Sequence, residues 1–192
     1  MPTNITKEIT NKSFLAGILI GLGVIINTLM GPPLGPALFS FGLLLIIYMQ
    51  LHLYTGKIGF LTKPKELPYL FTVLMFNLIG IGATIILYII ANPTFEELLL
   101  TAAAIKFSKN ILTLFINAIF CGALIHFAVK NKQFLFTILA IMIFILISAE
   151  HCIADFPYFL FCEISFMNIL KFLAIILGNS FGAIAIERLC KS

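Results

Sequence analysis

Residues 134–162 read FLFTILAIMIFILISAEHCIADFPYFLFC. The run is apolar from Phe134 to Ile147, is interrupted by Ser148, Glu150, His151 and Asp155, and resumes from Phe156 to Cys162. Its first part is too short to cross a bilayer, which takes about 20 apolar residues. The ionisable residues therefore fall near mid-membrane depth, where each costs about 2.5–3.5 kcal/mol unless it is paired or faces water. Irregular backbone at that depth is tolerated only where protein or a watery cavity surrounds it. The stretch reads as a membrane helix broken at a functional site.

The same break occurs once more, in residues 37–61, ALFSFGLLLIIYMQLHLYTGKIGFL. Here the apolar run ends at Met49, Gln50, His52, Thr55, Gly56 and Lys57 intrude, and Ile58 to Leu61 resume it. Four unbroken spans surround the two interrupted ones: Phe14 to Met30, Leu67 to Ala91, Ile111 to Val129 and Asn168 to Ile186. Gly31-Pro32-Pro33-Leu34-Gly35-Pro36 closes the first span in a tight turn, and Glu96 and Glu97 open a short amphipathic stretch that reaches Lys109.

The rest of the 192-residue chain agrees with a lipid environment. It is 61% hydrophobic and 10% charged, which is too little polar surface to coat a soluble globule. The formal charge of +4 is dispersed between apolar runs, so no nucleic-acid-binding patch forms. Cys121, Cys152, Cys162 and Cys190 lack CxxC spacing and read as free thiols, with no metal site and no cofactor.

The expected fold is all-α and integral to the membrane: one domain over residues 1–192 with six transmembrane helices, of which the second and fifth are broken. Two halves of three spans, about 14–91 and 111–188, must run in opposite directions, which makes them an inverted repeat. Asn77-Leu-Ile-Gly80 and Asn179-Ser-Phe-Gly182 echo one another in the third and sixth spans, each as a small-residue packing face. With cytoplasmic termini, nine Lys and Arg residues fall inside and only Lys106, Lys109 and Lys171 outside, the arrangement expected of a multi-pass protein of the inner, cytoplasmic membrane.

Among the intramembrane polar residues, His151 is able to accept a proton or pass one to a weak-acid anion. The alternative is a packed ring held by Glu150 or a carbonyl. Thr55 sits beside Gly56, which lets backbone amides face a ligand, although threonine in an apolar helix commonly bonds the preceding turn instead. His52 and Gln50 read as residues of a polar interface. Lys106 would draw anions to a mouth, against the plainer reading, shared with Lys109, of snorkelling to the headgroups.

These positions resemble the formate/nitrite transporter family over nearly the whole chain. Phe14-Leu-Ala-Gly17, Phe39-Ser-Phe-Gly42-Leu43 and Leu53-Tyr54-Thr55-Gly56 are similar to its first helix, its second helix and the interrupting loop. Lys106 precedes Cys121 at the family's spacing, Phe144 with Glu150-His151-Cys152-Ile153-Ala154-Asp155 resembles its fifth-helix signature, and Gly178-Asn179-Ser-Phe-Gly182 its last helix. The resemblance implies an aquaporin-like protomer, a homopentamer in lipid, and a separate pore in each subunit for small monovalent anions such as formate or nitrite. It also implies a channel or transporter and not an enzyme.

By position, His151, Thr55 and Lys106 would form the central site with Glu150 and Asp155 beside it, Phe39, Leu43 and Phe144 an inner constriction, and Leu53 and Tyr54 an outer one. Four residues depart from the family pattern: Asp155 for Asn, Gly122 for Asn, Tyr54 for Phe, and His52 for an acid. A pore for hydrosulfide or a small neutral solute is the alternative on the same fold. An intramembrane metalloenzyme built on Glu150, His151 and His126 has no HExxH-like spacing behind it.

Overall fold

The computed structural model describes residues 2–191, with side chains from residue 6. The helices are α1 (Pro2–Met30), α2 (Leu34–Tyr48), α3 (Tyr54–Lys57), α4 (Leu67–Ala91), α5 (Phe95–Ser108), α6 (Ile111–Asn131), α7 (Phe134–Leu146), α8 (Phe156–Phe161) and α9 (Phe166–Leu189). Single 3₁₀ turns at Ile58–Phe60 and Pro64–Glu66 extend α3 and lead into α4. Helices α1, α4, α6 and α9 are long and apolar enough to cross a membrane, whereas α2 and α7 are too short alone. Continued by α3 and α8, they are the two broken spans.

Two boundaries differ from the sequence reading. Helix α1 begins at Pro2 and not near Phe14, because polar residues continue a helix beyond the bilayer at no cost; Lys12 pairs with Glu8 one turn away at 2.7 Å. Helix α2 begins at Leu34 and includes Pro36, since the first turn has no intrahelical use for the missing N–H.

Packing follows the expected repeat. α1 lies along α4 and α6 along α9, α2 and α7 meet at the centre, and each short segment crosses to the opposite half: α3 reaches α6 and α9, and α8 reaches α4. Glycines set the closeness of the two long pairs. A Cβ at Gly17 would stand 2.2 Å from the Asn77 carbonyl oxygen, and one at Gly122 would stand 2.1 Å from that of Asn179. At Gly80 and Gly182 the added atom would meet the carbonyls of Phe14 and Ile119 at 2.2 and 2.1 Å. Backbone thus lies on backbone in both pairs. The departure at Gly122 has its reason here, since the α6–α9 contact leaves no room for a larger side chain.

Large side chains that face outward, among them Phe41, Phe71, Leu87, Ile90, Leu112, Leu135, Leu177 and Phe181, form an exposed apolar surface.

Candidate functional site

Each broken helix stops on a non-glycine residue in the left-handed region, Gln50 (φ 53°) in one half and Ser148 (φ 55°) in the other. Gln50 N–H donates to the Ile47 carbonyl and Leu51 N–H to that of Ile46; Ser148 N–H donates to Ile145 and Ala149 N–H to Phe144. This is the same pair of capping bonds twice, and it satisfies the last carbonyls of α2 and α7 without water.

The chain beyond each cap is held by an asparagine. Asn77 Nδ2 donates to the carbonyls of His52 (2.8 Å) and Ser13 (2.7 Å), and its Oδ1 accepts from Tyr54 N–H (2.8 Å). Asn179 Nδ2 donates to the carbonyls of Glu150 (2.7 Å) and Ala118 (2.8 Å), and its Oδ1 accepts from Cys152 N–H (2.8 Å). The sequence echo that reads as a packing face is therefore also the device that makes broken backbone tolerable at this depth.

So held, the two breaks bring Thr55 and His151 together, with Thr55 Oγ1 2.9 Å from His151 Nε2 and both side chains buried. Ala154 N–H donates to His151 Nδ1 at 3.0 Å, so Nδ1 carries the lone pair. The ring proton is therefore on Nε2, and it donates to Thr55. The threonine hydroxyl keeps its own hydrogen for another acceptor. Phe144 stacks on His151, and Phe39 meets Phe144 edge to face with ring centroids 6.1 Å apart.

On one side of this pair lies a cavity of about 290 Å³ lined by Phe39, Phe144, Lys106, Lys109, His151 and Asp155, among others. Helix α5 and its C-cap bring the two lysines to it. The buried stripe of α5, Phe95, Leu99, Ala103 and Phe107, packs inward, Ala102 and Lys106 lie on the adjoining face, and Lys109 follows as the cap. Lys106 Nζ bonds Glu150 Oε2 and sits 2.9 Å from Asp155 Oδ1, while Lys109 Nζ lies 2.7 Å from Glu150 Oε1. Lys106 also lies over the Tyr158 ring, 5.3 Å from its centre. Two buried carboxyl groups thus face two lysines, a set without net formal charge. Asp155 Oδ2 is buried and accepts no hydrogen bond.

The snorkelling reading fails for both lysines, because burying Glu150 and Asp155 requires cations at this place. Lys109, which the sequence alone gives no special role, caps α5 in an extended conformation and from there reaches Glu150, a contact that no helical spacing reports.

On the other side, Leu53, Gly56, Lys57, Gln50, Val129 and Lys132 help line a second cavity of about 200 Å³. Phe39 and Phe144 lie beside Lys106 and Lys109 at the first cavity, and Leu53 lies beside Lys57 and Lys132 at the second. Leu43 is buried within α2, and Tyr54 turns away from both cavities to put its hydroxyl 2.8 Å from Ser180 Oγ. His52 bonds Tyr69 at 3.3 Å, in keeping with an interface role.

His126 does not join His151. It is fully buried, with Nε2 2.7 Å from Glu187 Oε2, which Lys130 also reaches at 2.9 Å.

Two solved structures share this architecture. One, described as a pentameric formate channel with formate bound, has a TM-score of 0.86 at 18% identity, over 100% of this chain and 98% of that one. The other, an FNT family ion channel, has a TM-score of 0.82 at 21% identity, over 99% and 91%. At such identities the likeness establishes the fold. No curated protein sequence matches the chain. The model of the formate/nitrite transporter family, however, matches residues 4–190, and the chain therefore belongs to that family.

Proposed function

We propose that the chain is a single transport domain that passes small monovalent anions such as formate or nitrite. In this reading it is a homopentamer with one pathway per subunit, held in lipid of the inner membrane with both termini cytoplasmic. Family membership and the likeness to a channel described with formate bound support it. The observation that carries it is the Thr55–His151 pair, a buried hydroxyl and imidazole between two cavities, each of which holds lysines.

On the Lys106 side the anion is stripped of water between Phe39 and Phe144, and at the centre it accepts the Thr55 hydroxyl hydrogen as a hydrogen bond while His151 polarises that hydroxyl. Because Nδ1 is taken by Ala154 N–H, a cationic ring first requires that contact to open. Transient protonation at this site then yields a neutral acid, which crosses Leu43 and Leu53 far more cheaply than an ion.

Vesicles loaded with formate, nitrite, acetate or hydrosulfide gradients test this. Flux should rise as external pH falls, because the protonated fraction of a weak acid grows about tenfold per pH unit above its pKa. It should collapse in His151→Phe and in Lys106→Ala. Unchanged flux in both variants rejects the mechanism.

A second reading, a pathway for hydrosulfide or a small neutral solute, is favoured by one observation: Glu150 and Asp155 both pair with Lys106 and so offset its attraction for anions. Light scattering with neutral solutes separates the two.

A further inference from the structure

The two cavities differ in how their lysines are balanced. Lys106 and Lys109 are matched by Glu150 and Asp155, and Lys130 and Lys191 by Glu187 at 2.9 and 3.0 Å. Lys57 and Lys132 line the second cavity together, and among the described residues neither forms an ion pair. They are near enough for their charges to act on one another, and Lys12, itself paired with Glu8, adds to the positive field at Lys57. No carboxylate lines this cavity.

Backbone geometry holds the arrangement in place. Lys132 ends α6 in the left-handed region (φ 55°), with its N–H on the Ala128 carbonyl, and Gln50 ends α2 in the same conformation. Both projections onto one cavity are thus fixed by helix caps and do not depend on a loose loop. Lys57 closes α3, two residues after Thr55. The remaining wall is apolar, from Ile46, Leu53 and Val129. Two converging cations and a side-chain amide above an apolar floor form a setting for an anion and for little else.

We propose that Lys57, Lys132 and Gln50 form an anion-binding site at the mouth on their side of the membrane, which loads the pathway from that side. The inference rests on the anion reading above and adds a direction to it. The mouth beside Lys106 is electrically balanced, so capture of a dilute anion is favoured from the Lys57 mouth. By the basic-residue count that mouth is cytoplasmic, and the protein is then suited to export.

Two measurements test the site. In oriented membrane vesicles, the half-saturating formate concentration is measured from each mouth. At low salt, Lys57→Gln/Lys132→Gln should raise it about tenfold from the Lys57 mouth and leave the Lys106 mouth unchanged. At about 1 M salt, where the Debye length is about 3 Å, the difference should shrink below about twofold. Lys57→Arg/Lys132→Arg should keep wild-type capture. A rise that is equal from both mouths, or no rise, overturns the proposal.

The second measurement needs no transport. Sulfate at fixed ionic strength should raise the unfolding temperature of the purified wild-type protein in detergent and not that of the Gln/Gln variant. Equal stabilisation of both overturns the site. Wild-type vesicles without anion flux would reject the anion reading instead, while the sulfate comparison still decides the binding site.

Discussion

Gln50 and Ser148 end their helices in the same left-handed cap, and Asn77 and Asn179 bridge the gaps that follow with the same three hydrogen bonds. When the two breaks are laid over one another by these bonds, almost no chemistry is shared. His52 stands opposite Glu150, Leu53 opposite His151, Thr55 opposite Ile153 and Lys57 opposite Asp155. The repeated part is what broken backbone needs in order to exist in a membrane, namely caps and an asparagine. The unrepeated part is the polar site, and it takes its hydroxyl from one break and its imidazole from the other. A symmetric scaffold thereby carries one polar pair flanked by two different cavities, which the proposed function makes the two mouths of a pathway.

The largest expected effect lies at the balanced mouth. Lys106→Ala leaves Asp155 without a cation and Glu150 with only Lys109, and the loss of one partner from a buried ion pair costs about 3–5 kcal/mol. Lys57→Ala removes no ion pair and should stay within about 0.5 kcal/mol. Thermal unfolding of both variants in detergent measures the contrast. Similar losses would mean that Lys57 is also a structural cation, and the difference between the mouths would disappear.

Next is the scaffold. Asn77→Ala and Asn179→Ala each remove two donors and one acceptor from buried backbone, so each should destabilise by about 2–4 kcal/mol. The two values should agree to within about 1 kcal/mol if the halves are held alike. Unfolding of the pair decides this, and a clear inequality would break the symmetry drawn above. Asn→Asp at either position keeps the acceptor but loses both donors, and should recover little.

The spans, the breaks and the opposed halves were legible because apolar run lengths and helix-stopping residues report directly on crossing a bilayer. Thr55, His151 and Lys106 stood out as candidates because ionisable and polar groups at that depth are conspicuous, and because their order resembles a known family; the fold brings the first two into contact. Three things were not legible. The second role of Asn77 and Asn179 depends on contacts of 25 and 27 residues' separation along the chain, to His52 and Cys152, which no local pattern reports. Lys109 looked like an ordinary interfacial lysine until Glu150 was seen to face both it and Lys106. Which cavity Phe39, Phe144 and Leu53 line was the third, because it depends on the course of α2 and of the chain after its break.

The smallest effect concerns Asp155, and it bears on whether the charges beside Lys106 are balanced by design. Two lysines meet two carboxylates there, so Asp155→Asn leaves an excess positive charge and should raise anion flux about two- to fivefold, in line with modest electrostatic focusing at a partly screened mouth. Lys109→Gln leaves an excess negative charge and should lower flux by a similar factor. The double variant restores neutrality and should return to near the wild-type rate, as read by formate uptake into vesicles. If Asp155→Asn lowers flux instead, net charge is not what the carboxylate contributes. The carboxylate would then act by holding Lys106 in place, to which its Oδ1 is bound at 2.9 Å.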